Sequence, residues 1–355
     1  MRASFLDPMR LIRFLALLMM AGALASCSTT GPEALSVATP PPLASEKYAA
    51  IVVDGNTGRM LYQANATAPR FPASLTKMMT LYMLYEAIDS GRLSMSSEIP
   101  VSAHAASQAP SKLGLKRGTT IDVRSAVNAL SVKSANDVAA AVGEYLGGSE
   151  ERFAALMTAK ARSIGMRGTV FRNASGLPDD RQHTTARDMA VLGIALRKRF
   201  PQYYGNFSQR SFAFRGRTVT GHNRTLLIDG VDGIKTGYIR ASGFNIVTSV
   251  GRRGKRLVIV VMGGKSARER DAHVAELIER FLPAGTVRGA PAVANVPAIA
   301  PPATQPVSTQ PLDEKDLPGV QPPGSTPVDA GTPVAGTAVD PAATNEMGDG
   351  FDAAE

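Results

Sequence analysis

Ser74 and Lys77 stand three residues apart at the entry to an apolar run, in Pro72-Ala73-Ser74-Leu75-Thr76-Lys77-Met78-Met79. On a helical turn, residues i and i+3 share a face, so hydroxyl and amine would meet. A serine hydroxyl is a weak nucleophile until a neighbour takes its proton. A lysine buried against Met78, Leu81 and Tyr82 could shed its charge and become that neighbour. The pair alone is as easily core as chemistry, since Ser-x-x-Lys arises by chance about once in a chain this long. Two further polar groups supply context. Ser134-Ala135-Asn136 precedes a helical stretch, where its side chains are either helix caps or free to face a cleft. Lys235-Thr236-Gly237 reads as a strand offering a cation and a hydroxyl, with a glycine that lets another backbone approach closely. Its plain alternative is an edge-strand charge beside a turn.

The elements that must position these residues are legible from periodicity. Tyr48 to Asp54, the turn Gly55-Asn56-Thr57-Gly58 and Arg59 to Gln63 read as strand, turn and strand. The helix carrying Ser74 runs to about Asp89 and is apolar on nearly every face, which predicts a central, buried position. Helices are predicted over 121–130, 135–146, 150–164 and 185–199, with Ser149 before Glu150 and Glu151 as a helix start. Residues 244–250 and 256–262 are β-branched runs on either side of Gly251-Arg-Arg-Gly-Lys255, a hairpin pattern. A last helix is predicted over 267–281. Strands at both ends with helices between predict an α+β fold, one antiparallel sheet flanked by helices, with a helical subdomain.

The ends differ from this body. Residues 1–26 place Arg2, Arg10 and Arg13 ahead of Phe14-Leu15-Ala16-Leu17-Leu18-Met19-Met20, the layout of a secretory signal. The only cysteine, Cys27, follows Leu24-Ala25-Ser26, which resembles a lipobox and implies lipidation of Cys27. The alternative is ordinary signal cleavage after Ala25, leaving Cys27 a stray thiol; both predict export, to a periplasmic location. A Pro-, Ser- and Thr-rich tether covers 27–45, and the folded body covers 46–284. Residues 285–355 hold 12 of the 24 prolines and no apolar periodicity, so a disordered tail is expected. Of the net charge of +9, the tail is acidic, leaving about +14 on residues 27–284. A basic body attracts polyanions, and export together with the absence of basic runs interleaved with aromatics argues against nucleic acid as the partner. The four histidines (His104, His183, His222, His273) lack metal-ligand spacing and read as surface or loop residues, so neither metal nor cofactor is expected. His222-Asn223-Arg224 is placed at the cleft edge, ahead of the Lys235 strand.

Ser-x-x-Lys, Ser-x-Asn and Lys-Thr-Gly occur in that order, separated by 60 and 101 residues, which is the motif set of penicillin-binding enzymes and β-lactamases. With Phe71-Pro72-Ala73-Ser74-Leu75-Thr76-Lys77, Ser134-Ala135-Asn136-Asp137, Asn173-Ala174-Ser175-Gly176-Leu177 and Val231 to Tyr238, residues 46–284 strongly resemble the low-molecular-weight D-alanyl-D-alanine carboxypeptidases, serine peptidase family S11. The resemblance implies a penicillin-binding transpeptidase-like fold and cleavage of the terminal D-alanine from peptidoglycan stem peptides. It makes Ser74 the acylated nucleophile, Lys77 its base and Ser134 a proton relay. Asn136 would hold the substrate amide and orient Lys77. Lys235, Thr236, Gly237, the backbone of Tyr238 and Arg270 would bind substrate, and β-lactams would be covalent inhibitors. No Glu-x-x-Leu-Asn pattern lies between 150 and 200, so the deacylating glutamate of class A β-lactamases is not expected. A DD-endopeptidase of the same fold and a non-catalytic, wall-binding or β-lactam-sensing lipoprotein stay open as alternatives. The family's C-terminal β-rich domain and amphipathic membrane helix do not appear in the sequence, and the anchor would fall to Cys27 and a membrane lipid.

Overall fold

Strands β1 (Ala49–Asp54) and β2 (Met60–Ala64) pair antiparallel around a turn that local chemistry closes. The Asp54 carboxylate accepts the N–H groups of Asn56 and Thr57 at 2.9 and 3.1 Å, and Gly58 takes a φ of 81° that glycine tolerates. The structure, a computed structural model, describes residues 41–289. The signal at 1–26, Cys27, the tether as far as residue 40 and the tail from 290 lie outside the described residues.

Beyond β2, Ala73–Thr76 form one 3-10 turn that runs straight into α1 (Lys77–Asp89). Ser74 therefore precedes the α-helix rather than lying inside it, but a 3-10 turn stacks i over i+3, so Ser74 and Lys77 still share a face. Nine of the thirteen residues of α1 are buried, as its all-round apolar sequence requires. Next come β3 (Glu98–Pro100), the short α2 (Ala103–Ser107), β4 (Thr120–Asp122) and α3 (Val123–Asn128). A wider π turn over Ala129–Lys133 ends at Ser134, whose φ of 63° and ψ of 37° are left-handed. The single helix predicted over 121–130 is thus three pieces. Thr120–Asp122 pair with β3, and the Asp122 side chain caps α3 by accepting the Ser125 N–H.

Helices α4 (Asn136–Gly147) and α5 (Glu150–Ser163) follow, the second begun by Ser149, whose hydroxyl accepts the Arg152 N–H at 3.1 Å. Then come α6 (Ala186–Arg199), capped by Thr185, and a small hairpin, β5 (Ser211–Phe214) with β6 (Arg217–Thr220). Strands β7 (Val231–Ile239), β8 (Gly243–Arg252) and β9 (Lys255–Gly264) and helix α7 (Ala267–Phe281) complete the body. The main sheet has the order β2-β1-β9-β8-β7, every pair antiparallel, so the first and last strands of the body meet as expected. The two small strand pairs and α2 were not legible, being three to five residues long.

Alternation along the strands puts apolar groups on both faces of the sheet. Ile51, Val53, Val258, Val260 and Met262 face the core shared with α1, α4 and α6. Ala50, Val52, Leu257, Ile259 and Val261 face the second core under α7. Burial on both faces is why these strands read as continuous apolar runs. His273 departs from its sequence reading. It is buried on α7, its Nε2 within 2.8 Å of the Tyr48 hydroxyl, which in turn contacts Tyr62 at 3.2 Å. No helix of the described residues is long and apolar enough to cross a membrane.

Candidate active site

Three contacts converge on the Lys77 amine, whose side chain is fully buried. Nζ lies 3.1 Å from Ser74 Oγ, 2.7 Å from Asn136 Oδ1 and 2.6 Å from the Ser175 carbonyl oxygen. The last two are obligate acceptors, because both Asn136 Nδ2 hydrogens are committed to the carbonyls of Ala109 and Pro110 at 2.8 and 3.0 Å. A neutral lysine has two N–H bonds and one lone pair. Asn136 and Ser175 take the two N–H bonds, and the lone pair is left facing the Ser74 hydroxyl.

Electrostatics favours that neutral form. Burial pushes the Lys77 proton affinity well below that of an ordinary lysine, and the Lys235 charge pushes the same way, while Asp137 and Glu150 oppose it. Lys235, also buried, is pushed down to about 7 by burial and by the Arg270 guanidinium. Both carboxylates are occupied elsewhere. Asp137 accepts the N–H groups of Leu113, Gly114 and Leu115, and Glu150 accepts the Ala174 N–H and pairs with His104.

Close backbone approach sets the position of Ser74. A Cβ on Gly237 would stand 3.0 Å from Ser74 N and 3.1 Å from Leu75 N, so edge strand β7 lies directly against the serine turn. Gly176, at a φ of 87°, lies against Ala73, and a Cβ there would collide with the Ala73 carbonyl. Ala73 itself has a φ of 48°, a left-handed conformation rare for a residue with a side chain. Asn245 on β8 clamps the approach, donating to the carbonyls of Phe71 and Pro72 at 3.0 and 3.3 Å and accepting the Gly263 N–H at 3.0 Å.

Ser134, Lys235 and Thr236 share the walls of one cavity of about 210 Å³ with His222, Asn223 and Arg224. The Ser134 hydroxyl is buried and has no hydrogen-bond partner among the described residues, and Lys235 Nζ donates to the Thr236 carbonyl at 2.9 Å. Tyr238 is exposed, its ring 4.3 Å from that of Phe244. Arg270 is buried away from that cavity lining, with Nε and Nη2 on Asp271 Oδ1 and Nη1 on the Asn245 carbonyl. Its charge reaches Lys235, and through Asn245 it supports the strand. Of the residues singled out by sequence, Ser74, Lys77 and Asn136 are in direct contact, Ser134, Lys235 and Thr236 line one cavity, and Arg270 is held on Asp271 and the Asn245 carbonyl, outside that lining.

A family model described as D-alanyl-D-alanine carboxypeptidase matches residues 35–266. The chain belongs to this family. The S11 chain is 31% identical over 242 residues to the D-alanyl-D-alanine carboxypeptidase DacF of Bacillus subtilis, covering 67% of the chain and 62% of the relative. Among solved structures it superposes on penicillin-binding protein 5 of Haemophilus influenzae with a TM-score of 0.65 at 30% identity, over 68% of this chain and 71% of that one. Penicillin-binding protein D2 of Listeria monocytogenes, solved in a cefotaxime-bound form, matches with a TM-score of 0.60 at 30% identity, over 65% of this chain and 95% of that one. The chain spans about three fifths of the length of the curated relatives it matches first. Two residues of this site carried no assigned role in the sequence reading, although Ser175 lies within Asn173-Ala174-Ser175-Gly176-Leu177. Ser175 acts through its carbonyl, which no side-chain pattern reveals. Asn245 did leave a signal, as the only amide within the otherwise apolar and hydroxylic run 244–250.

Proposed function

We propose that this S11 chain is a serine D-alanyl-D-alanine carboxypeptidase that removes the terminal D-alanine from peptidoglycan stem peptides through an acyl-enzyme on Ser74. The observation that carries this is the three-way coordination of Lys77 Nζ, with one direction left for the serine proton. Lys77 takes the Ser74 proton as Oγ attacks the carbonyl between the two D-alanines. Backbone N–H groups of Ser74 and Tyr238 receive the oxyanion, a kind of donor whose loss costs about 3 kcal/mol of barrier. The unpartnered Ser134 hydroxyl passes a proton to the leaving amine, and water then releases the acyl group. The second lone pair of Asn136 Oδ1 is available to a substrate N–H. The substrate carboxylate meets Thr236 and Lys235; its arrival favours the protonated Lys235 that burial disfavours in the empty cleft.

β-Lactams acylate the same serine. Among the described residues no carboxylate touches Ser74 or Lys77, and Asp137 and Glu150 are engaged elsewhere, which supports slow deacylation. Labelling with a fluorescent penicillin, wild type beside Ser74→Ala, tests the acylation step. An unlabelled wild type, or an equally labelled variant, refutes it and leaves a wall-binding or sensing role. Mass analysis of products from a pentapeptide monomer and a cross-linked dimer then decides the bond cut, and cleavage of the dimer alone would make the chain an endopeptidase.

Export and anchoring through a lipid on Cys27 are part of the same proposal, supported by the signal-like leader and the placement of that cysteine. Cys27→Ser should move the protein from the membrane to the soluble fraction of an expressing cell; an unchanged distribution rejects the lipid.

A further inference from the structure

Glu150 is a buried-side carboxylate that the acylation chemistry leaves without a role. It opens α5, its side chain is 13% exposed, and it lies at the wall of a groove of about 960 Å³ bounded also by His104, Glu144, Glu151, Arg172 and Arg181. One oxygen, Oε1, accepts the Ala174 N–H at 3.0 Å; the other, Oε2, meets His104 Nε2 at 2.6 Å. The Ala174 carbonyl accepts the Thr80 hydroxyl at 2.6 Å, which ties the same peptide to α1. The next carbonyl, that of Ser175, is the 2.6 Å acceptor of Lys77. Glu150 thus holds the chain one residue before the atom that fixes the general base.

We propose that Glu150 is a positioning residue for Lys77: its carboxylate pins the Ala174–Ser175 segment so that the Ser175 carbonyl meets Nζ, and its charge tunes the base across that segment. This rests on serine acylation as the reaction of the site. Two separable effects follow. Geometry needs only an acceptor for the Ala174 N–H, which a carboxamide also supplies. The charge effect needs the carboxylate. Glu150 and Asp137 both favour the cationic form of Lys77, against burial and Lys235. Asp137 stays in every variant, so a displacement of the pH profile reports Glu150 or its partner His104, which a His104 variant separates.

The experiment is the second-order rate of acylation by a fluorescent penicillin from pH 5 to 9, for wild type, Glu150→Gln and Glu150→Ala, with thermal melts alongside. In Glu150→Gln the Ala174 contact survives and the negative charge is gone. Neutral Lys77 should then persist to lower pH, moving the acid limb down by roughly half to one pH unit, with a plateau within about threefold of wild type. In Glu150→Ala the segment loses its anchor and the plateau should fall about tenfold or more, so that Gln rescues what Ala loses. The proposal is overturned if the Gln profile superimposes on wild type, or if Gln and Ala depress the plateau alike on an unmoved limb, as a merely structural residue would. His104→Gln keeps the carboxylate while removing its imidazole partner, and its acid limb should not follow that of Glu150→Gln. A limb that does follow it assigns the effect to His104 and likewise overturns the proposal. A wild type that takes no label refutes serine acylation itself, a distinguishable failure.

Discussion

At the scale of single residues, the site turns on how few proton arrangements Lys77 is allowed. With Asn136 Oδ1 and the Ser175 carbonyl both obligate acceptors, a neutral Lys77 can only aim its lone pair at Ser74. Acylation should therefore rise with pH through the depressed Lys77 value and level off well below 10.5, the ordinary lysine value. Stability follows the same sign. The unfolded chain binds the Lys77 proton more tightly than the folded one, so its contribution opposes folding at low pH and that penalty is relieved as pH rises towards 10.5. Lys77→Arg separates charge from chemistry, because a guanidinium does not lose its proton in this range. Its acylation rate should drop by about 10²- to 10⁴-fold, measured with the same fluorescent penicillin. An Arg variant that acylates at wild-type rate would show that Lys77 is not the base.

The elements matter because they bring three distant segments to one amine. The 3-10 turn before α1 supplies Ser74, the start of α4 supplies Asn136 and the segment ahead of α6 supplies the Ser175 carbonyl, while β7 presses Gly237 against the serine turn. That contact has no slack. In Gly237→Ala the new methyl meets the backbone nitrogens of Ser74 and Leu75 at 3.0–3.1 Å, and neither atom belongs to a flexible side chain that could turn away. Strand and turn must separate, at a cost of about 1–3 kcal/mol in stability. Acylation should fall about tenfold or more, because the serine and its N–H shift together. Thermal melts and labelling rates measure the two effects, and a variant that leaves both unchanged would mean the strand does not set the nucleophile. Much of this was legible beforehand. Continuous β-branched runs gave the hairpin of β8 and β9, all-round apolarity gave buried α1, and side-chain motifs gave Ser74, Lys77, Ser134, Asn136 and Lys235. What escaped has a common cause. The Ser175 carbonyl and the left-handed Ala73 are backbone features, and Glu150 and Asn245 act through backbone partners distant in sequence. Apart from Asn245, none leaves a side-chain signal to read. His273 escaped because its burial depends on Tyr48, 225 residues away.

For the molecule as a whole, the two apolar layers on either side of the sheet tie the beginning of the body to its end. β1 lies between β2 and β9, so the first strand is held by one of the last. The closure continues beyond α7. The Thr286 N–H donates to Asp54 Oδ2 at 2.7 Å, Asn56 Nδ2 donates to the Thr286 carbonyl at 2.8 Å, Val287 bridges to Lys255, and the Arg288 N–H donates to the Gly254 carbonyl at 2.9 Å. These bonds staple the two turns at one end of the sheet; burial pushes the Asp54 carboxyl up, but these bonds and those of its own turn outweigh it and hold it below the usual carboxylate range. The position of a C-terminal cut therefore matters more than its size. Ending the chain after Gly289 keeps every one of these contacts, and both the melting temperature and penicillin acylation should match the full chain. Ending it after Ala284 removes the staple. Two to four hydrogen bonds at about 0.5–1.5 kcal/mol each are lost, with the Asp54 carboxylate losing one of its donors. A lower melting temperature is expected, while acylation at 25 °C persists because the staple lies at the β1–β2 and β8–β9 turns, outside the contacts that hold Lys77. Equal melting temperatures for the two truncations would show that the staple contributes nothing, and loss of acylation in the longer one would place part of the catalytic body beyond residue 289.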